Sequence, residues 1–303
     1  MRVLVTGGTG LIGRYVTKEL LTRGVDVVSL DLSSASSSTP GTLSIVGDIR
    51  DAEFLRREIQ GVDRVIHCAA MLQASCEDNP ALAVAINATG TVNVLEAAQS
   101  VGVKRVVLAS SIAVYGRTRY SPMDENHPCE PHGIYASTKL LAEHLARAYE
   151  RAGGPEVFAV RFGLVYGPGG VRSKGVAAAF RGMLLGALRD RRVTIPSSEQ
   201  MVPLTYVSDA ALGAVLACLT TPPPAHRIYN VSGHGHRLTE IAELLCRMYP
   251  GTTIEREESP LASPLNGDLD ITLARTELKY APSIGFEEGI RQTCAYLESA
   301  RDS

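Results

Sequence analysis

Tyr135 and Lys139 stand one helical turn apart in "GIYASTKLLAEHL", residues 133–145. On a helix, residues i and i+4 share a face, so the phenol and the ammonium would point the same way. Leu141 and Leu145 form another such pair about 120° or more around the helix, which leaves the Tyr135 side free to face a cleft. A free phenol titrates near ~10, and a base working at neutral pH needs a shift of about three units, or ~4 kcal/mol of preferential phenolate stabilisation. A neighbouring cation supplies stabilisation of that kind. Eleven tyrosines and five lysines in 303 positions predict about 0.2 such spacings by chance, so position along the chain has to decide. The pair follows "RVVLASSIAVYG", an apolar run and its turn, where Ser111 would hydrogen-bond a reacting hydroxyl and orient it.

A second constellation is "VTGGTGLIG" near the N-terminus, with glycines at 7, 8, 10 and 13. It follows an expected strand, opens an expected helix, and satisfies G-x-G-x-x-G from Gly8. The chemistry such a loop serves is pyrophosphate binding: a tight turn, a backbone without Cβ, and free N–H groups at a positive helix end. The loop is therefore a candidate dinucleotide-binding turn. Asp31 closes the next strand, where a carboxylate accepts hydrogen bonds from both ribose hydroxyls of NAD and repels a 2′-phosphate. Arg14 lies close enough in sequence to leave NADP open. In "GDIRD", Asp48 and Ile49 pair a polar with an apolar group at the sheet edge, which suits an adenine ring. "VIHCAA" places Cys68, Ala69 and Ala70 at a strand end, where small residues let a cofactor pass; core packing would explain the alanines equally.

These side chains need a scaffold. "RVLVT" (2–6), "VDVVSLD" (25–31), "LSIVG" (43–47), "RVIHCA" (64–69), "RVVLAS" (105–110) and "VFAVRF" (157–162) read as strands apolar on both faces, the mark of a parallel sheet. Helical segments alternate with them. "LIGRYVTKELLTRG" stops on Gly24, and "NPALAVAINATGTVNVLEAAQSVG" opens with Asn79 as cap and Pro80 in the first turn. The expectation is an α/β, doubly wound Rossmann domain over residues 1–165. Residues 166–303 would form mainly a smaller substrate lobe, with some segments returning to the sheet. The tract "SSASSSTPG" (33–41) reads as a polar surface loop between strands of one sheet.

Composition excludes several classes. Thirty basic and 32 acidic residues give a net charge of −2 with no basic stripe, so nucleic acid is not an expected partner. Cys68, Cys76, Cys129, Cys218, Cys246 and Cys294 lack paired spacing, which suits a reducing, cytoplasmic setting. No apolar run reads as a membrane span, and "MRVLVTGG" has no signal-peptide layout. His234 and His236 in "GHGH" have no third ligand in view, so no metal site is expected.

"TGGTGLIG", "GDIRD", "NATGTVNVLEAA", "LASSIAVYG", "YASTK" and "RFGLVYGPGG" occur in the order and spacing of the extended short-chain dehydrogenase/reductases. The chain resembles their NAD-dependent epimerase/dehydratase family over nearly its whole length. The resemblance implies Ser111, Tyr135 and Lys139 as the catalytic triad, NAD as cofactor, Gly7, Gly10, Leu11 and Ile12 as the dinucleotide loop, and Asn87 and Phe162 as cofactor-side residues. It also implies a homodimer formed through the helix around 80–100 and the one bearing Tyr135.

Departures from the family pattern bear on the substrate. Ile112 and Ala113 replace the Asp-Glu pair of the sugar-nucleotide dehydratases, which disfavours dehydration, and the Glu of the related decarboxylases is missing as well. Leu164 stands where nucleotide-sugar epimerases usually show Asn; "MVPLTYVSDA" lacks an Arg, and so does the position read here as Asn266. Arg172, Lys174 and Arg181 are candidate clamps for a carboxylate or phosphate, although solvated surface cations explain them better. The expected activity is hydride removal from a secondary hydroxyl of a carbohydrate-like small molecule, by an epimerase or by a dehydrogenase releasing NADH. A binding protein that has lost turnover is the alternative from another class, and the intact Ser, Tyr and Lys argue against it.

Overall fold

The computed structural model describes residues 1–33, 40–169, 175–196, 199–258 and 264–299. Most of the 33–41 tract, together with Arg172 and Lys174, lies outside the described residues. Six strands appear in the first half: β1 (Arg2–Thr6), β2 (Asp26–Asp31), β3 (Leu43–Val46), β4 (Arg64–His67), β5 (Arg105–Ser111) and β6 (Glu156–Phe162). They coincide with the expected runs to within about two residues at each end.

A seventh strand, Ile228–Val231, comes from much later in the chain and pairs with β6. The order is Ile228–Val231, β6, β5, β4, β1, β2, β3, and every pairing is parallel. Both faces of the central strands are covered because both are apolar, whereas the edge strand β3 is largely exposed. Val3 and Val5 of β1 point to one side, where Val16 and Leu20 of the Leu11–Thr22 helix and Ala210, Ala214 and Cys218 of the Val207–Leu219 helix close a core. Leu4, between them, points to the other side, among Val94, Leu95, Ala142 and Ala146. A two-residue period in β1 thus builds two cores.

The remaining chain adds a three-stranded sheet (Leu164–Tyr166, Met201–Tyr206, Gly235–Arg237) and a two-stranded one (Arg192–Ile195 with Thr253–Arg256). Their own apolar cluster includes Phe180, Leu184, Ile241, Leu245 and Ile290.

The expected Asn79 cap forms: its side chain accepts from Leu82 N–H at 3.1 Å, with Pro80 in the first turn. Residues Pro80–Ser100 then run as one helix through a π-helical segment, Ala85–Thr89. By length and composition alone this helix is apolar enough to cross a membrane, although Asn87, Asn93 and Glu96 interrupt its apolar run. Half of its most apolar stretch is buried against the sheet, as in a core helix.

Candidate active site

The strand order reverses between β1 and β4, so the loops after these two strands diverge and leave a crevice at the sheet's carboxyl edge. Gly7 leaves β1 with φ +67°, and a Cβ on it would lie 2.6 Å from the Ala69 nitrogen in the loop after β4. Only glycine fits there, on both conformational and steric grounds. Gly13 is equally confined, since a Cβ would stand 2.0 Å from the Gly7 oxygen, which seats the Leu11–Thr22 helix directly on the loop. That helix starts at Gly10 with no side-chain cap and no acidic residue in its first turn. Its N–H groups and positive end are open to an anion.

Asp31 sits beside this loop. Its carboxylate accepts from Thr9 N–H (3.0 Å), Thr9 Oγ1 (2.6 Å) and Leu32 N–H (2.8 Å). A carboxylate offers about four acceptor positions, so capacity remains for a further donor. Arg14 points elsewhere: its guanidinium donates to the Pro168 carbonyl at 2.5 Å. The cradle that a Cβ would fill, the uncapped helix end and the oriented carboxylate together fit a dinucleotide.

The other candidates divide. Leu11 and Ile12 are half-buried at the helix start, and Cys68, Ala69 and Ala70 are half-buried beside Gly7. Cys68 N–H continues the sheet by donating to Thr6 O at 3.0 Å. Burial pushes its thiol up to about 12 against the opposing Lys139 charge. Asp48 is turned toward Arg50, whose guanidinium hydrogen bond holds the carboxyl below its usual range. Ile49 is buried against Gly90. Asn87, inside the π-helical segment, spends its amide on the Met71 backbone (2.7 and 3.0 Å) and on Thr138 Oγ1 (3.1 Å). Phe162 lies in the core, in register with Ser111 on the neighbouring strand.

Ser111, Tyr135 and Lys139 come together. Ser111 ends β5, where its hydroxyl accepts from Ala113 N–H at 3.2 Å, and the Ile134–Arg151 helix brings Tyr135 beside it. Lys139 Nζ lies 5.8 Å from the Tyr135 ring centroid and donates to the Ala109 carbonyl at 2.8 Å. Burial drives the phenol up to about 12, opposed by the Ser111 hydrogen bond. The same burial pulls Lys139 down to about 8. This departs from the expectation of a phenol acidified by its lysine. In the protein alone, dehydration of the ring outweighs the cation, whose hydrogen bond goes to a backbone carbonyl.

Several supporting residues escaped the sequence reading. Glu77 accepts from Ile134 N–H at 2.8 Å and so caps the Tyr135 helix from another helix. His67 is fixed between Thr6 Oγ1 (2.6 Å) and Thr91 Oγ1 (3.1 Å), and burial holds its ring neutral, at about 3. Glu143, two turns beyond Tyr135, forms a buried ion pair with Arg161 at 2.6 Å. The "[ST]-x-[DE]"-free stretch around Thr9 gave no local sign of its bonds to Asp31, 22 positions away. Asn266 bonds Met201 N–H (2.7 Å) and Glu199 O (3.3 Å), fastening two chain segments. Among the described residues, no three His, Cys, Asp or Glu side chains gather to hold a metal ion, and all six cysteines are free thiols.

A parallel doubly wound sheet, a glycine loop at its switch point and a Ser-Tyr-Lys set at the end of β5 define an extended short-chain dehydrogenase/reductase. The model of the family described as "NAD dependent epimerase/dehydratase family" matches residues 3–232. A putative UDP-glucose 4-epimerase of Methanocaldococcus jannaschii is 29% identical over 98% of this chain and 98% of its own length. UDP-glucuronate 4-epimerase 5 of Arabidopsis thaliana is 30% identical, covering 96% of this chain and 74% of that protein. The crystal structure of a Thermus thermophilus UDP-glucose 4-epimerase in complex with NAD superposes with a TM-score of 0.86 at 30% identity, covering 99% of this chain and 100% of that one. The chain belongs to the NAD dependent epimerase/dehydratase family and is an enzyme of the short-chain dehydrogenase/reductase type.

Proposed function

We propose that this chain is an NAD-dependent epimerase that inverts a secondary alcohol carbon of a sugar or sugar-derived substrate. The reading is carried by one juxtaposition: the Ser111 and Tyr135 side chains adjoin at the carboxyl end of β5, one strand from the crevice that Gly7 and Ala69 frame. In this reading Gly7, Gly10, Leu11 and Ile12 hold the pyrophosphate side and Asp31 the ribose. Oxidised NAD accepts a hydride and brings a positively charged ring, which favours the phenolate of a nearby tyrosine. Ser111 orients the substrate hydroxyl, Tyr135 takes its proton, and Lys139 supplies fixed positive charge behind the ring. Ile112 and Ala113 carry no acid or base, so nothing there promotes loss of water.

The relatives named above carry the names of UDP-sugar 4-epimerases, which favours inversion of a sugar hydroxyl here. One observation favours a second reading, net oxidation of a small sugar or sugar acid with release of NADH. Leu164 packs toward the second apolar cluster and the Asn266 amide is consumed by backbone, so two positions that usually anchor a nucleotide diphosphate serve packing instead.

Incubation of the purified protein with NAD and a panel of aldoses, uronates and UDP-sugars separates the readings. Epimeric product without net NADH is expected; accumulation of NADH would install the dehydrogenase in its place. A Tyr135→Phe variant as active as wild type would remove the mechanism altogether.

We further propose a cytoplasmic homodimer. Val84 and Leu141 are 47% and 44% exposed, on the Pro80–Ser100 helix and the Ile134–Arg151 helix respectively. Exposed apolar residues on two such helices suit burial against a second copy. Light scattering should give the dimer mass for wild type and the monomer mass for a Val84→Glu/Leu141→Glu variant.

A further inference from the structure

Tyr135, Lys139 and Glu143 occupy positions i, i+4 and i+8 of one helix and therefore one face of it. The first two meet the crevice. Glu143 lies deeper, only 3% exposed, where its carboxylate accepts from Ser110 Oγ (2.5 Å) and from Arg161 Nε (3.0 Å) and Nη2 (2.6 Å). Ser110 adjoins Ser111 on β5, and Arg161 belongs to β6. One carboxylate thus ties the helix to two adjacent strands of the sheet. Arg161, also 3% exposed, lies over the Tyr115 ring at 4.8 Å and reaches the Glu125 carbonyl at 3.4 Å. Burial pulls the guanidinium's pKa down, and the bonds and charge of Glu143 more than reverse this.

A buried ion pair costs several kcal/mol of desolvation, and apolar residues of the same volume often replace one without loss of stability. Stability is therefore a weak reason for its presence. Its position beside Lys139 offers a stronger one. The groups facing Lys139 are His67 at the end of β4, Cys68 in the following loop, Cys76 from the Gln73–Asp78 helix, and Glu143 from its own helix. Burial keeps the imidazole neutral and both thiols protonated at neutral pH. Among the described residues, Glu143 is then the one carboxylate acting on Lys139, whose amine donates to the Ala109 carbonyl. Around the ion pair itself stand Cys129, its thiol raised by burial, Tyr115, raised likewise, and the half-buried Glu125, whose carboxyl burial also raises.

We propose that Glu143 is a positioning residue of the reaction: bound to Ser110 and Arg161, it seats the Tyr135–Lys139 helix at a fixed depth against β5 and β6 and places a carboxylate one helical turn behind Lys139. It touches neither substrate nor cofactor and acts through Lys139. The role in turnover rests on the reading of Tyr135 as proton acceptor, whereas the effect on Lys139 is a property of the protein by itself.

The test separates the two. With only five lysines in the chain, ¹³Cε-lysine NMR of the cofactor-free full-length protein resolves each ammonium, and Lys139→Met identifies the signal that matters. Wild-type Lys139 should titrate at about 8. In Glu143→Gln, which leaves the Arg161 cation uncompensated, the midpoint should fall by about one unit or more. In Glu143→Leu/Arg161→Met, which removes both charges and keeps the volume, it should fall by less but stay below wild type. The alkaline limb of kcat/KM should move to lower pH in the same order, since turnover requires the ammonium. An unchanged or raised Lys139 midpoint in either folded variant overturns the proposal, and the double variant decides if Glu143→Gln does not fold. A lowered midpoint in a protein that turns over no sugar would instead leave the Lys139 effect standing and remove the proposed reaction.

Discussion

Thr9 gives both its backbone N–H and its hydroxyl to the same oxygen of Asp31, at 3.0 and 2.6 Å. The glycine loop after β1 and the carboxylate at the end of β2 are thereby one rigid unit. A ligand bound at the loop meets a carboxylate whose position is already set, and no ordering cost falls on that contact.

Asp31→Asn is expected to weaken NAD binding about 10-fold, or ~1.4 kcal/mol, as a charge-assisted acceptor becomes a neutral one. The preference over NADP should narrow by loss of NAD affinity more than by gain of NADP. Arg14, the nearby cation, is held by the Pro168 carbonyl and would have to leave it to meet a 2′-phosphate. Calorimetric titration of both dinucleotides into wild type and variant checks this.

Tyr135→Phe should lower turnover by roughly 10²–10⁴-fold, the range for removing a general base, with NAD affinity within about threefold of wild type. Ser111→Ala removes the hydrogen bond that opposes the raised pKa of the phenol. Its acid limb of kcat should therefore move to higher pH, because the unprotonated phenol becomes harder to reach. Initial-rate pH profiles read both effects.

Lys139 is 8% exposed, and burial lowers its pKa from 10.5 to about 8. Between these values the unfolded chain binds more protons than the folded one, so stability rises with pH across that window. Below about 8 the cost of the buried charge is present in full; above 10.5 it is gone. Without cofactor, wild type should gain about 3 kcal/mol relative to Lys139→Met as pH is raised from the lower value to the upper. Urea melts of the two proteins across that range measure it, and parallel curves would refute the assignment.

His67 behaves alike at the acid end. Burial takes its pKa from 6.5 to about 3, so the unfolded chain gains a proton first as pH falls. Stability should be fully present above 6.5 and decline toward 3, by on the order of 5 kcal/mol. His67→Gln keeps the shape of the Thr6–Thr91 bridge while losing the titration, so its acid denaturation should begin at lower pH than that of wild type.

Much of this arrangement was legible in the order of residues. The alternation of apolar runs gave the six strands of the first half, and the Gly7–Gly13 loop stood where a strand meets a helix. The Ile228–Val231 strand was less visible, because four residues after a proline-rich turn carry little periodicity. The partners of the site were hidden for a different reason. Glu77 caps a helix 57 positions away, and Glu143 meets Arg161 across 18. Periodicity reports which face a residue occupies, not which distant strand that face will meet.

What the chain alone determined is set by local backbone geometry: the i, i+4 placement of Tyr135 and Lys139, and a glycine-rich turn between a strand and a helix. The folded structure decided how those groups are charged. Packing the helix against β5 strips water from the phenol and the amine together, and lends the lysine a carboxylate and a carbonyl drawn from separate turns and strands. Ionisation depends on the solvent and charges around a group in three dimensions, and no spacing along a sequence carries that information.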